Sequence, residues 1–498
     1  RRFPMQLSDA SLLRSQAFIG GRWCDAEDGS RHAVVDPAGG GTINEVPRMS
    51  GRETAAAIRA AAEALPDWRQ RSPKARGEVI RRWWELVVEA SDDFAALITA
   101  EGGKPLAEAR GEVAYTAGFL EWFAGEARRA YGDVIPPHAA DKRLLAIRQP
   151  IGVAAAITPW NFPAAMLGRK AAAALAAGCT LIAKPAPQTP LTALALAALA
   201  ERAGLPAGVL NIVTSDAEAA REIGDVICAS PVVRAISFTG STAVGVELAG
   251  KAAATVKKVS LELGGNAPFV VFEDADLEAA VEGAMQSKFR NAGQTCVCAN
   301  RFYVQESIAE TFAERLAAAV DRLVVGPGAE PGVTVGPLID RRALAKVARH
   351  VDDARERGGR ILRGGRPHPL GGSFYEPTVI AEANPEMLIA REETFGPVAA
   401  VFPFADDEQA IRLANATDYG LASYFYSQNV ARVFRVAESL EYGMVGINTG
   451  MISTEVAPFG GVKASGLGRE GGRYGMEEYQ EIKYLCFGFD SGFGGNGS

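Results

Sequence analysis

From residue 50 to 130 apolar positions recur at helical spacing, as in 78–90, where Val79, Ile80, Leu86 and Val87 are set among arginines and glutamates, and the pattern predicts a block of amphipathic helices. A proline-bearing, strand-like stretch at 131–150 breaks that pattern. The period then switches: apolar runs at 152–158, 180–184, 209–213 and 235–238 predict strands, with helices at 164–177, 191–203 and 242–251 between or after them. A further strand over 256–261 ends at Glu262. A second alternating section follows, with a helix over 277–290, a cysteine-bearing loop, a strand over 301–305 and a helix over 308–323. This alternation predicts an α/β fold with parallel, doubly wound sheets and a ligand crevice at the strand carboxyl ends. The segment 364–377 is turn-rich, and the chain closes with a strand over 481–487 and a glycine-rich tail expected to fray. No internal repeat is present.

At 498 residues the chain exceeds what a single hydrophobic core accommodates, so two or more large domains are expected. Hydrophobic residues make up 48% and charged residues 22%, the balance of a soluble globular protein. A net charge of -7 and the lack of like-charge runs argue against a nucleic-acid partner. The longest apolar run, 171–183, is rich in alanine and falls short of the roughly 20 residues a bilayer span needs, so no membrane helix is expected. The first residues, RRFPMQLSDAS, lack the apolar core of a secretory signal, and the expected location is cytoplasmic. Six cysteines are too few and too scattered for a disulfide scaffold. With four histidines and neither HExxH nor paired CxxC, no metal site is expected.

The candidate chemistry centres on FRNAGQTCVCAN, 289–300, where Cys296 sits in a glycine-containing loop with Cys298 two residues on. A thiol in such a loop is placed to react, and with no histidine nearby in sequence its activation falls to backbone amides, helix N-termini or a carboxylate base. Glu262 ends an apolar strand before Gly264 and Gly265, where burial would raise its pKa toward a useful base. FTGSTAVG, 238–245, follows a strand and opens a helix: Gly240 permits a tight turn, Ser241 offers a hydroxyl, and Gly245 allows close approach. By spacing alone, an anion site and a plain N-cap stand equal there. GLGREG, 466–471, matches a dinucleotide fingerprint but lacks the strand before and the βαβ unit around it, which leaves a backbone turn. Arg290 closes the helix entering the cysteine loop and Arg169 lies on the helix after Asn161; two guanidinium groups at one mouth would clamp a carboxylate, the alternative being structural ion pairs.

In combination LELGG, NAGQTCVCANR, EETFGP and EVAPFGGVKASGLGREG resemble the NAD(P)-dependent aldehyde dehydrogenase superfamily, and within it the succinate semialdehyde dehydrogenase branch. The resemblance runs from FIGGRW at Phe18 to EIKYLCFG near the end. It implies a cofactor domain at 1–130 and 151–262, a catalytic domain at 263–470, and a bridging segment at 131–150 and 471–498 that pairs subunits into dimers or tetramers. It implies Cys296 as nucleophile, Glu262 as base and Asn161 as holder of the oxyanion. On the cofactor it implies Lys184 at the adenosine ribose, Trp160 beside the pyrophosphate, FTGSTAVG as the variant Rossmann turn, Glu393 on the nicotinamide ribose and Phe395 packed against the cofactor. Arg169 and Arg290, helped by Ser453 or Thr454, would hold a substrate carboxylate.

Pro187 stands where many NAD-specific relatives carry a glutamate that would repel a 2'-phosphate, so the expected cofactor is NADP or NAD, with NADP accepted. The expected substrate is succinate semialdehyde, with the glutarate homologue one methylene away. Cys298 is either a spectator or the partner of a disulfide that blocks Cys296 under oxidation. A cysteine hydrolase or acyltransferase without a redox step, and a non-enzymatic role like that of some lens crystallins, are the rival readings.

Overall fold

The computed structural model describes residues 5–489; the first four residues and the glycine-rich tail lie outside the described residues. Two large sheets organise the chain. The first has eight strands in the order Gly466–Leu467, Lys258–Glu262, Val233–Thr239, Val153–Ile157, Thr180–Lys184, Leu210–Ile212, Ala17–Ile19 and Arg22–Cys24. Its five central strands are parallel. Chain order reverses between Val153–Ile157 and Val233–Thr239, which opens the crevice of a doubly wound sheet beyond Ile157 and Thr239.

The second sheet has seven strands, Arg360–Arg363, Thr378–Ala381, Val398–Phe404, Ala299–Gln305, Ala267–Val271, Ala422–Tyr426 and Met444–Ile447, parallel except for the antiparallel first pair. A three-stranded antiparallel sheet joins Gln480–Gly488, Lys142–Pro150 and Asp133–Ile135. A two-stranded ribbon pairs Arg31–Val35 with Thr42–Pro47.

The alanine-rich run explains itself here. Helix Pro163–Ala177 is buried at every position, so apart from Arg169 and Lys170, whose charges are paired inside by Glu470, it carries apolar and mostly small side chains all round. Proline at its start, after an extended Phe162 (φ -139°), and left-handed Gly178 at its end set its limits. It packs on helix Leu106–Glu126, which supplies several side chains to the site below.

Boundaries moved where caps outweigh periodicity. The helix expected over 78–90 spans Pro73–Glu89, because the Ser72 hydroxyl accepts from Ala75 N ahead of a helix-starting proline. The strand expected from 256 begins two residues later, as Lys258–Glu262, since Val256 adopts φ 51° at the end of the preceding turn. Helix Leu277–Phe289 stops one residue short of Arg290, which turns to ψ 133°. Among the described residues no helix is long and apolar enough to cross a membrane.

Candidate active site

Between helix Leu277–Phe289 and Cys296 the backbone makes an uncommon turn. Asn291 (φ 52°), Ala292 (φ 53°) and Gly293 (φ 74°) are left-handed in succession, a conformation that costs non-glycine residues free energy and persists only where neighbours over-determine it. The neighbours are present. Asn291 N donates to Glu108 at 2.8 Å, Gln294 N donates to Asn291 O at 3.0 Å, and Ile339 N donates to the Gln294 side chain at 2.8 Å. A side chain at Gly293 would collide with the Gly396 carbonyl. Cys296 itself keeps partial exposure between buried neighbours. Burial pushes its thiol up to about 12, against the pull of the Arg169 guanidinium, and the Glu262 and Glu393 carboxylates add to the rise.

Asn161 lies beyond strand Val153–Ile157, at the crevice. Its Nδ2 donates to Gln294 O at 3.1 Å, which leaves the second amide hydrogen free, and its buried Oδ1 has no partner. Its carbonyl accepts from Lys104 Nζ at 2.7 Å and from Asn291 Nδ2 at 3.1 Å. Lys104 is buried against Glu112, which also accepts from Ala164 N at 2.9 Å at the start of the following helix. One buried ion pair thus ties the asparagine loop, the cysteine loop and the helix carrying Arg169.

Glu262 ends its strand 1% exposed, and neither carboxylate oxygen has a hydrogen-bond partner. Burial, reinforced by the nearby Glu470 carboxylate, raises its pKa well above the usual range, while Arg169 and Lys170 oppose the shift. Its backbone pairs with Gly466, so GLGREG forms the short edge strand beside Glu262 and the turn that follows. That turn brings in Glu470, buried and ion-paired to both Arg169 and Lys170. Arg169 also lies over the Phe459 ring at 4.4 Å. The structural ion pair foreseen as the alternative for Arg169 is therefore real, yet Glu470 approaches it at Nε, and Nη1 and Nη2 make no hydrogen bond among the described residues. Arg290 is half-buried with its guanidinium 5.3 Å from the Phe162 ring. Thr454 donates to adjacent Glu455 at 3.4 Å, whereas the half-buried Ser453 makes no hydrogen bond among the described residues.

The dinucleotide candidates line the same crevice. Ser241 heads helix Thr242–Ala253 with no capping bond from its side chain, and Gly240 N donates to Glu262 O at 3.0 Å. Gly245 packs so closely on Leu263 that a side chain there would overlap it. Lys184 ends its strand buried, with no partner for Nζ among the described residues, and burial lowers its pKa to about 8. Pro187 presents its carbonyl to His32 Nε2 at 3.0 Å. Glu393 accepts from Gly265 N at 3.2 Å and is raised to about 7 by burial. Phe395 adopts φ 55° and meets the half-buried Trp160 edge-on at 5.5 Å. The buried Cys298 thiol donates to Lys288 O at 3.1 Å, and all six cysteines are free. Among the described residues no cluster of three potential metal ligands occurs.

The model of the aldehyde dehydrogenase family matches residues 23–485, nearly the whole chain. The chain belongs to this family. A glutarate-semialdehyde dehydrogenase of Pseudomonas aeruginosa is 59% identical over 97% of this chain and 100% of its own length. The NADP(+) succinate-semialdehyde dehydrogenase of Escherichia coli is 58% identical over the same shares. A crystal structure of succinate-semialdehyde dehydrogenase from Burkholderia pseudomallei superposes with TM-score 0.96 at 56% identity, covering 97% of this chain and 100% of that one.

In this aldehyde dehydrogenase, sequence reasoning missed Glu470, Lys170, Lys104, Glu112 and Glu108. Glu470 sits inside a motif set aside as a turn. Lys104 lies in the short connection between helices Ser91–Gly102 and Leu106–Glu126, the others are charges on helices with no local pattern, and only the tertiary fold supplies their partners.

Proposed function

We propose that the protein oxidises a short aldehyde with a terminal carboxylate, succinate semialdehyde to succinate, using NADP or NAD. The observation that carries this reading is Arg169, a buried guanidinium whose charge reaches Cys296 while neither terminal nitrogen makes a hydrogen bond among the described residues. A forked donor with such ends suits a carboxylate through paired, charge-assisted bonds. Arg290 and Ser453 supply further donors. Glutarate semialdehyde is the second reading, favoured by the 59% identity to a protein named for it, and the extra methylene is worth only about 1–3 kcal/mol.

The residues fit a nicotinamide dinucleotide: Lys184 is buried with no partner for its Nζ among the described residues, the Ser241 hydroxyl makes no capping bond at a helix start, and one Glu393 carboxylate oxygen makes no hydrogen bond among the described residues. Lys184, Ser241, Gly240, Trp160 and Glu393 would hold it. What it supplies when bound is acceptance of a hydride. Cys296 does the covalent work: its thiol gives its proton to the Glu262 carboxylate, which passes it on to solvent, and the sulfur bonds to the carbonyl carbon, leaving an oxyanion. The free Asn161 amide hydrogen and the Cys296 backbone N–H hold that charge. Loss of hydride leaves a thioester on sulfur. Glu262 then takes a proton from water, whose oxygen attacks the acyl carbon and expels the thiolate with release of the acid.

Pro187 carries no carboxylate to repel a 2'-phosphate, so NADP is accepted. The cofactor domain is read as 1–130 with 151–262 and the catalytic domain as 263–470, whose strand Gly466–Leu467 nevertheless joins the first sheet, and 131–150 with 471–498 is read as bridging subunits of a dimer or tetramer. A reducing cytoplasm suits six free cysteines, one of them the nucleophile. Cys298, held by Lys288 O, is read as a spectator. The test compares kcat/KM for succinate semialdehyde and uncharged butanal. Strong preference for the acid, lost in Arg290→Met, is expected; indifference to the carboxylate contradicts the reading.

A further inference from the structure

His350 lies on helix Arg341–Glu356, its side chain fully buried, well away in sequence from every residue assigned a role above. Its ring makes two hydrogen bonds into one short segment: Nε2 meets the Glu392 carboxylate at 3.1 Å and Nδ1 meets the Thr394 hydroxyl at 3.2 Å. Those residues flank Glu393. The same helix touches the segment once more, because Gly396 packs against Val347 so closely that a side chain at 396 would overlap it.

The spacing is informative. Residues 392, 394 and 396 face the helix, and in an extended chain the alternate positions 393 and 395 point the other way. Glu392 is extended (φ -104°, ψ 142°), and Glu393 and Phe395 do turn to the crevice, where they meet Gly265 and Trp160. Phe395 at φ 55° needs outside restraint to hold its conformation.

The partners also fix the ring's protonation. A carboxylate only accepts, so Nε2 carries the hydrogen and donates to Glu392; burial keeps the ring neutral, so Nδ1 accepts from the Thr394 hydroxyl. Arg349, the neighbouring residue, holds Glu392 from its exposed side at 2.6 Å, so the carboxylate is gripped twice. An apolar side chain of similar size at 350 would fill the space and provide neither bond.

We propose that His350 is a positioning residue for the oxidation step, which by gripping residues 392 and 394 fixes where the Glu393 carboxylate and the Phe395 ring stand in the cofactor crevice. The proposal rests on the reading of Glu393 as a ligand of the nicotinamide ribose. It assigns no contact between His350 and substrate or cofactor, and none with Cys296.

Full-length His350→Phe, His350→Gln and Glu393→Gln proteins test it by three readouts. These are the Kd of NADP by titration calorimetry, cofactor-free hydrolysis of p-nitrophenyl acetate by Cys296, and the deuterium isotope effect on kcat with aldehyde labelled at the carbonyl hydrogen. Misplacing a reacting group by a fraction of an ångström costs about tenfold or more, so His350→Phe is expected to weaken NADP binding or slow oxidation by about that factor. The isotope effect rises as hydride transfer becomes limiting, and ester hydrolysis stays at the wild-type rate. Glu393→Gln is expected to weaken NADP binding or raise the isotope effect in the same direction. His350→Gln, which keeps a donor for Glu392, is expected to recover most of the loss, and it carries the test if the phenylalanine protein does not fold.

Parallel loss of ester hydrolysis and oxidation would reduce His350 to packing and overturn the proposal. So would an unchanged Kd and isotope effect in both His350 variants while Glu393→Gln responds. If Glu393→Gln is itself silent, the reading of Glu393 falls and the proposal falls with it.

Discussion

Asn161 concentrates the chemistry of the site in one amide. One hydrogen is committed to Gln294 O and the other is free, so Asn161→Ala removes a single oxyanion donor and is expected to lower kcat by about 10²–10³-fold, with the Kd of NADP unchanged. Stopped-flow oxidation and calorimetry check both halves. Lys184 gives a pH signature. Its pKa of about 8 means the ammonium is present below that pH and lost above it, so the KM for NADP should rise as pH climbs through 8, and Lys184→Met should be high and flat. At this scale the sequence was readable wherever a residue announces itself locally: Cys296 in a glycine-containing loop, Glu262 at a strand end. Glu470, Lys104 and His350 gave no local signal, since each acts through a partner more than 40 residues away or, for Lys104, through the carbonyl of Asn161.

Elements deliver these residues by alternation of strand and helix, which the hydrophobic pattern carried well. The strand expected over 180–184 is the strand Thr180–Lys184, and the helix expected over 164–177 is Pro163–Ala177. Four short strands before residue 50 were not foreseen, because pieces of three to six residues leave no period to count. Helix Leu106–Glu126 was foreseen only as part of a block of amphipathic helices, yet it carries Glu108 and Glu112 to the catalytic loops. Removing Lys104 would strand the Glu112 charge in the interior, so Lys104→Met is expected to cost about 3–5 kcal/mol, measured by urea unfolding, and to depress oxidation through the loosened Asn161 loop. Gly245→Val would push helix Thr242–Ala253 off Leu263, next to Glu262, and raise the KM for NADP.

At the scale of the whole molecule, the three-stranded sheet of Asp133–Ile135, Lys142–Pro150 and Gln480–Gly488 exposes apolar side chains. Val134 is 85% exposed and Ile482 69%, on strands of the three-stranded sheet, more apolar surface than an isolated sheet edge tolerates in water. Ile482→Asp with Tyr484→Asp should therefore lower the mass seen by light scattering toward the 52.5 kDa of a single chain. In the proposed reaction a thioester on Cys296 links oxidation to release of the acid. Its most direct test is mass spectrometry of Glu262→Gln mixed with succinate semialdehyde and NADP. An acyl adduct mapped to Cys296 is expected, formed with a burst of reduced cofactor and absent in the Cys296→Ala protein. A burst without any adduct on Cys296, or an adduct on another residue, would contradict it.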